Sequence, residues 1–171
     1  MNEERTIKLG IIGLGNIARL HCDRLQKAGY GDSIAAGLDV DPDARGRFAA
    51  QYDATVYERQ ADLYADVDAV LVTTPNKFHE EYVVGALDAG LDVFVEKPLA
   101  HTVESAERIA EAAREAEGFC MVGFHNRFRD PVRALCGYRD DGTMGELDHI
   151  EANYLRRRGV PGRGSWFTRK A

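Results

Sequence analysis

The sequence predicts an α/β fold, a doubly wound parallel sheet followed by the start of a truncated second α/β domain. Three observations predict it. Short β-rich runs alternate with helical stretches as far as Phe124, the pattern of a parallel sheet with crossover helices. Ala69 to Thr73 is apolar until its last residue, as in a strand covered on both faces. After Phe124 the alternation stops. The expected domains are residues 1–124 and residues 125–171.

Taken in order, Ile7 to Ile12 is a largely apolar run of strand length leading into glycine. Ile17, Leu20, Leu25 and Ala28 then recur at helical spacing up to Gly29. Ile34 to Leu38 is a second strand, and Pro42 stands in the first turn of a helix that runs to about Tyr52. A short strand follows at Thr55 to Tyr57, and the strand Ala69 to Thr73 takes a central place. Phe78 to Ala89 reads as a helix closed by Gly90, and Asp92 to Val95 as the next strand. Thr102 caps a helix through Val103, Ala106, Ile109, Ala110 and Ala113, without a capping box because Ser105 stands where Glu or Gln is needed. Phe119 to Phe124 completes about six strands. Beyond it come a helix at Pro131 to Tyr138, a turn at Gly142 to Gly145 and a strand at Leu147 to Leu155. Arg156 to Ala171 has no clear period.

Composition narrows the classes. With 171 residues, 44% hydrophobic and 29% charged, the chain suits one full domain plus a remnant of ordinary globular character. It has no signal-like or membrane-spanning run, so a cytoplasmic setting is expected. A net charge of −6 opposes nucleic-acid binding, and Arg156-Arg157-Arg158 reads as a solvated strand end. Cys22, Cys120 and Cys136 show no metal-ligand spacing and read as small buried hydrophobes, with no metal expected.

The chemistry gathers at strand ends. Gly13-Leu14-Gly15-Asn16-Ile17-Ala18 leaves a strand and opens a helix, the context that makes a Gly-x-Gly-x-x-Gly/Ala loop a specific phosphate cradle. Gly13 makes the tight turn, Gly15 admits a pyrophosphate to the backbone, and Ala18 keeps the helix close to the sheet. An anion is favoured there by free N–H groups and the helix dipole. Asp39, at the end of the second strand, can accept hydrogen bonds from both ribose hydroxyls of an adenosine and would repel a 2′-phosphate. NAD is therefore preferred to NADP, while Arg45 leaves room for dual use. Asp41, just before Pro42, is the better candidate for the helix cap.

Thr74-Pro75-Asn76 follows the fourth strand on the ligand side of the sheet, with His79 one turn on. By itself His79 reads as a surface or capping residue. Glu96-Lys97-Pro98 ends the fifth strand. A desolvated lysine there can polarise a hydroxyl or carbonyl and move a proton, and proline after it favours an extended lysine backbone or a cis bond. Taken alone, Glu96-Lys97 also reads as a surface ion pair.

In this order, the loop Gly13 to Ala18, Asp39, Thr74-Pro75-Asn76 with His79, Glu96-Lys97-Pro98, and Gly123-Phe124-His125-Asn126-Arg127-Phe128 with Pro131 resemble the Gfo/Idh/MocA oxidoreductases, relatives of glucose-fructose oxidoreductase and inositol dehydrogenase. The resemblance implies a Rossmann domain and NAD(P)-dependent hydride transfer to or from a sugar, polyol or related hydroxyl compound. It makes Lys97 the catalytic lysine and places Asn76, His79 and Glu96 around the cofactor. Asn126 and Arg127 match the segment approaching nicotinamide and substrate, or else form a simple interdomain turn. The family's second domain, built on an open antiparallel sheet, supplies substrate contacts and the oligomer interface.

This sequence lacks the family's Asp-x-Gly-x-His type motif, whose histidine is the acid/base partner. One helix and one strand after Phe124 cannot bury a sheet face, so an N-terminal fragment is expected. The competing reading is a non-catalytic dinucleotide-binding module or remnant. A Rossmann-type transcription factor would need a helix-turn-helix or basic domain, and neither is evident.

Overall fold

The computed structural model describes residues 6–153 and Leu155. The chain divides into two compact units between Phe124 and His125.

The first unit is built on six parallel strands: β1 Leu9–Ile12, β2 Ile34–Leu38, β3 Thr55–Tyr57, β4 Ala69–Val72, β5 Asp92–Val95 and β6 Cys120–Val122. Their order in the sheet is β3-β2-β1-β4-β5-β6. The helices are α1 Asn16–Lys27, α2 Pro42–Tyr52, α3 Gln60–Tyr64, α4 His79–Asp88 and α5 Val103–Glu115. The chain winds outward from β1 to β3, then returns to pair β4 with the other side of β1. Sheets of this order bind ligands beyond the carboxyl ends of the strands, where the direction of winding reverses.

Alternation along the strands feeds two apolar layers. Ile12, Leu38, Val70, Val72, Val93 and Val95 pack with Val83 and Leu87 of α4 and Ile109 of α5. On the other face Ile11 and Leu71 pack with Ala18 and Cys22 of α1 and Phe48 of α2. Burying each large aliphatic side chain contributes roughly 1.5–3 kcal/mol, which is why both faces of β4 carry apolar residues.

Local signals terminate the helices as their chemistry requires. The Asp41 carboxylate accepts the Asp43 N–H at 2.9 Å, with Pro42 in the first turn of α2. Thr102 Oγ1 accepts the Ser105 N–H at 3.1 Å at the start of α5. The periodicity did not show α3 or the 3-10 turns Gly31–Ser33 and Asn76–Phe78, because elements of three to five residues are too short to display a period. The Asn76–Phe78 turn also delays the start of α4 from Phe78 to His79. Of the cysteines, Cys22 is buried, while Cys120 and Cys136 are half-buried, so only the first fits the reading as a buried hydrophobe.

In the second unit, a 3-10 turn His125–Phe128 precedes α6, Asp130–Asp140, with Pro131 in its first turn. The expected turn at Gly142 to Gly145 is present, with φ of 77° and 65° at the two glycines. The strand expected at Leu147 to Leu155 is not: residues 147–153 and Leu155 form no strand. A strand needs a hydrogen-bonding partner, and among the described residues this unit offers none. Tyr154 and everything from Arg156 to Ala171, including the arginine cluster, lie outside the described residues. Among the described residues no helix is long and apolar enough to cross a membrane.

Candidate functional site

The carboxyl ends of β1, β2, β4 and β5 carry the loops that hold the expected residues. Gly13 turns the chain out of β1 with φ +88°, a conformation that side chains rarely adopt. A Cβ on Gly13 would also lie 2.8 Å from the Thr74 backbone nitrogen, so the loop can sit against the end of β4 only with glycine there. Thr73 fastens the same junction by donating its hydroxyl to the Gly13 carbonyl at 2.6 Å. The Gly13 N–H reaches sideways to the Leu38 carbonyl at 2.8 Å.

Asp39 belongs to this loop as much as to β2. Its Oδ2 accepts the Leu14 N–H at 2.7 Å and its Oδ1 the Asp41 N–H at 2.9 Å. Each oxygen keeps a further lone pair for another donor. Arg45 donates to the Asp39 carbonyl at 2.8 Å and pairs with Glu58, and its side chain is only 13% exposed. The guanidinium is thereby committed to protein partners.

Gly15 is the N-cap residue of α1. No side chain caps this end, and no acidic residue stands in the first turn. The N-terminal N–H groups of a helix lack intrahelical partners and favour an anion. A Cβ on Gly15 would meet nothing within 4 Å, so the approach to these groups is open. Asn16 and Ile17 are exposed beside it, while Ala18 is buried against the sheet. At the end of β4, Thr74 Oγ1 is buried without a hydrogen-bond partner, which marks a place where an external donor or acceptor fits. Pro75 and Asn76 are half-buried next to it.

His79 is not at the surface. It is 1% exposed at the start of α4, with Nδ1 3.0 Å from the Pro98 carbonyl and 3.2 Å from the Leu99 carbonyl, and Nε2 2.9 Å from the Thr74 carbonyl. The ring is a strap between the loops after β4 and β5. Both ring nitrogens face backbone carbonyls.

Glu96 and Lys97 follow β5, and the Lys97–Pro98 peptide bond is cis. The Glu96 carboxylate engages His21 of α1 at 2.8 Å and accepts the Lys97 N–H at 3.1 Å. The hydrogen bond from His21 holds the Glu96 carboxyl below the usual glutamate range, although burial acts against it. Lys97 itself is exposed. His21 escaped the sequence reading, yet its place one turn after Ala18, the sheet-facing position of α1, was a usable signal.

The site residues of the first unit thus form one connected set: Gly13 touches Thr74, Asp39 holds Leu14, and His79 joins Thr74 to Pro98. Asn126 lies exposed in the 3-10 turn of the second unit. Among the described residues no group of three or more His, Cys, Asp or Glu could hold a metal ion.

Comparisons with known proteins match the fold of the first unit. Residues 7–124 match the family described as "Oxidoreductase family, NAD-binding Rossmann fold", GFO_IDH_MocA. The chain is 39% identical over 146 residues to inositol 2-dehydrogenase from Serratia proteamaculans, covering 82% of this chain and 43% of that protein. Among solved structures, scyllo-inositol dehydrogenase from Lactobacillus casei, with bound NAD(H) and scyllo-inositol, superposes with a TM-score of 0.74 at 29% identity, over 83% of this chain and 43% of that one. The WlbA dehydrogenase from Bordetella pertussis, in complex with NADH and UDP-GlcNAcA, gives 0.77 at 27% identity, over 83% of this chain and 42% of that one. The chain therefore spans less than half the length of these relatives. With the family model matching from residue 7 to residue 124, the chain belongs to the GFO_IDH_MocA family of oxidoreductases, those with an NAD-binding Rossmann fold.

Proposed function

We propose that this chain is the dinucleotide-binding part of an NAD-dependent dehydrogenase acting on a hydroxyl-bearing polyol or sugar. The observation that carries the reading is the uncapped N-terminus of α1, open above Gly15, with the Asp39 carboxylate fixed to the same loop. The N–H groups of α1 bind the pyrophosphate, and the free lone pairs of Asp39 accept the ribose hydroxyls. Thr74 Oγ1 and Asn76 supply polar contacts at the end of β4. NAD is favoured over NADP because Asp39 would repel a 2′-phosphate and Arg45, paired with Glu58, is not free to neutralise one. The bound nicotinamide supplies the hydride chemistry. Lys97 holds and moves the proton of the substrate hydroxyl.

Substrate class is suggested by the inositol dehydrogenases to which the chain is similar. Residues 125–171 would begin the domain that supplies substrate contacts and the interface of a homo-oligomer, with Asn126 near the reacting groups. A cytoplasmic setting suits the free thiols Cys22, Cys120 and Cys136. A second reading, a dinucleotide-binding module without catalysis, is favoured by the exposure of Lys97. NADH formation from NAD across a panel of inositols and sugars tests the first reading. NAD binding without turnover on any of them supports the second.

A further inference from the structure

Glu96 is the only carboxylate among the described residues that touches both α1 and the Lys97 backbone. One oxygen lies 2.8 Å from His21 Nε2, and the other accepts the Lys97 N–H at 3.1 Å. The two side chains are 25% and 15% exposed. The His21 ring is held from another direction by Phe94 of β5, edge-on with centroids 5.9 Å apart and planes at 67°. The Glu96 N–H is tied to the Val72 carbonyl at 2.9 Å, so the residue itself cannot drift from the end of β4.

We propose that His21 is a positioning residue for Lys97: through Glu96 it ties the lysine backbone to the helix whose N-terminus receives the dinucleotide phosphates. The inference rests on the function proposed above. The phosphate cradle follows β1 and Lys97 follows β5, and β4 lies between those strands in the sheet. Ladder hydrogen bonds register the strands but not the loops beyond them. Proton transfer from a bound substrate demands placement within about 0.5 Å, so a link between cradle and lysine has a use that the sheet does not meet. The link also decides where the carboxylate points. Released from His21, Glu96 can rotate toward the ammonium of Lys97, the next residue on its own loop, and pair with the group that must exchange a proton. With His21 in place one carboxylate oxygen is directed to α1 and the other to the Lys97 N–H.

The test uses the full chain with its lysines, Lys8, Lys27, Lys77, Lys97 and Lys170, carrying ¹³C-methyl groups by reductive methylation. The Lys97 resonance is assigned by its loss in Lys97→Arg. The proposal expects His21→Leu to move the Lys97 resonance in the ligand-free chain and to reduce its response to NADH, while NADH affinity stays within about threefold because the cradle is intact. His21→Gln, which keeps an N–H donor for Glu96, is expected to restore the resonance. If His21→Leu does not fold, His21→Asn replaces it, since its shorter amide stops short of Glu96. An unmoved Lys97 resonance in the folded Leu or Asn variant overturns the proposal, as does failure of His21→Gln to restore it. Failure of the unsubstituted chain to bind NADH counts against the proposed function, whereas the ligand-free comparison still decides the role of His21.

Discussion

Asp39 accepts the Leu14 N–H at 2.7 Å, so the carboxylate proposed to hold the ribose is also a strut of the phosphate loop. The two roles predict a double effect. Asp39→Ala should lower NADH affinity at least tenfold, about 1.4 kcal/mol, and reduce unfolding free energy by roughly 1–2 kcal/mol, as expected when charged hydrogen bonds are lost in a partly solvated place. Asp39→Asn, which keeps one acceptor oxygen, should recover part of the stability but not the affinity. Fluorescence titration with NADH and urea denaturation separate the effects.

Gly13 and Gly29 have nearly the same φ, +88° and +85°, but different surroundings. A Cβ at Gly29 meets nothing within 4 Å, whereas one at Gly13 overlaps Thr74. Gly29→Ala should therefore cost only the conformational penalty of about 1–2 kcal/mol, and Gly13→Ala distinctly more, with loss of NADH binding. Equal urea midpoints for the two variants would show that the contact with Thr74 is unimportant.

His79→Leu keeps the bulk of the ring but removes the two ring nitrogens that face the Thr74, Pro98 and Leu99 carbonyls. A loss of about 1–3 kcal/mol is expected from leaving buried acceptors unpaired. Amide hydrogen exchange should quicken around Asn76 and Leu99 more than in β1 or β5. Uniform quickening across the sheet would argue for a core defect rather than the loss of a strap.

The lowered pKa of Glu96 sets a pH dependence with a definite sign. A carboxyl whose native pKa is depressed stabilises the fold fully above its unfolded value of about 4.3, and loses that contribution as pH falls through the native value. The difference in unfolding free energy between the natural chain and Glu96→Gln should therefore shrink steadily on acidification below about pH 4. Urea unfolding at stepped pH measures it. A difference independent of pH would mean that the His21 contact does not favour the ionised carboxylate.

Much of the first unit is written in local pattern. The run Ala69 to Thr73, the Pro42 and Thr102 helix starts and the glycine loop each carry their own physical signal, and the strands and helices they announce are present. Legibility failed where a role depends on a distant partner. His79 offers no period or motif spacing that reveals three carbonyls from two other loops. His21 becomes meaningful only when β5 brings Glu96 alongside α1. In the second unit the loose alternation of Leu147 to Leu155 suggests a strand, but alternation is only half of the requirement, and the described residues of that unit hold no strand to pair with it.

In the proposed function NADH occupies the crevice built from Gly13 to Ala18, Asp39 and Thr74 to Asn76. The most direct measurement of that occupancy is the amide nitrogen–proton NMR spectrum of the chain during titration with NADH. Saturable shifts are expected, centred on the amides of Leu14, Gly15, Asn16 and Ile17 and reaching Val40 and Asn76, with much weaker effects from NADPH. A well-dispersed, folded spectrum that NADH leaves unchanged, or shifts confined to α4 and α5, would contradict it.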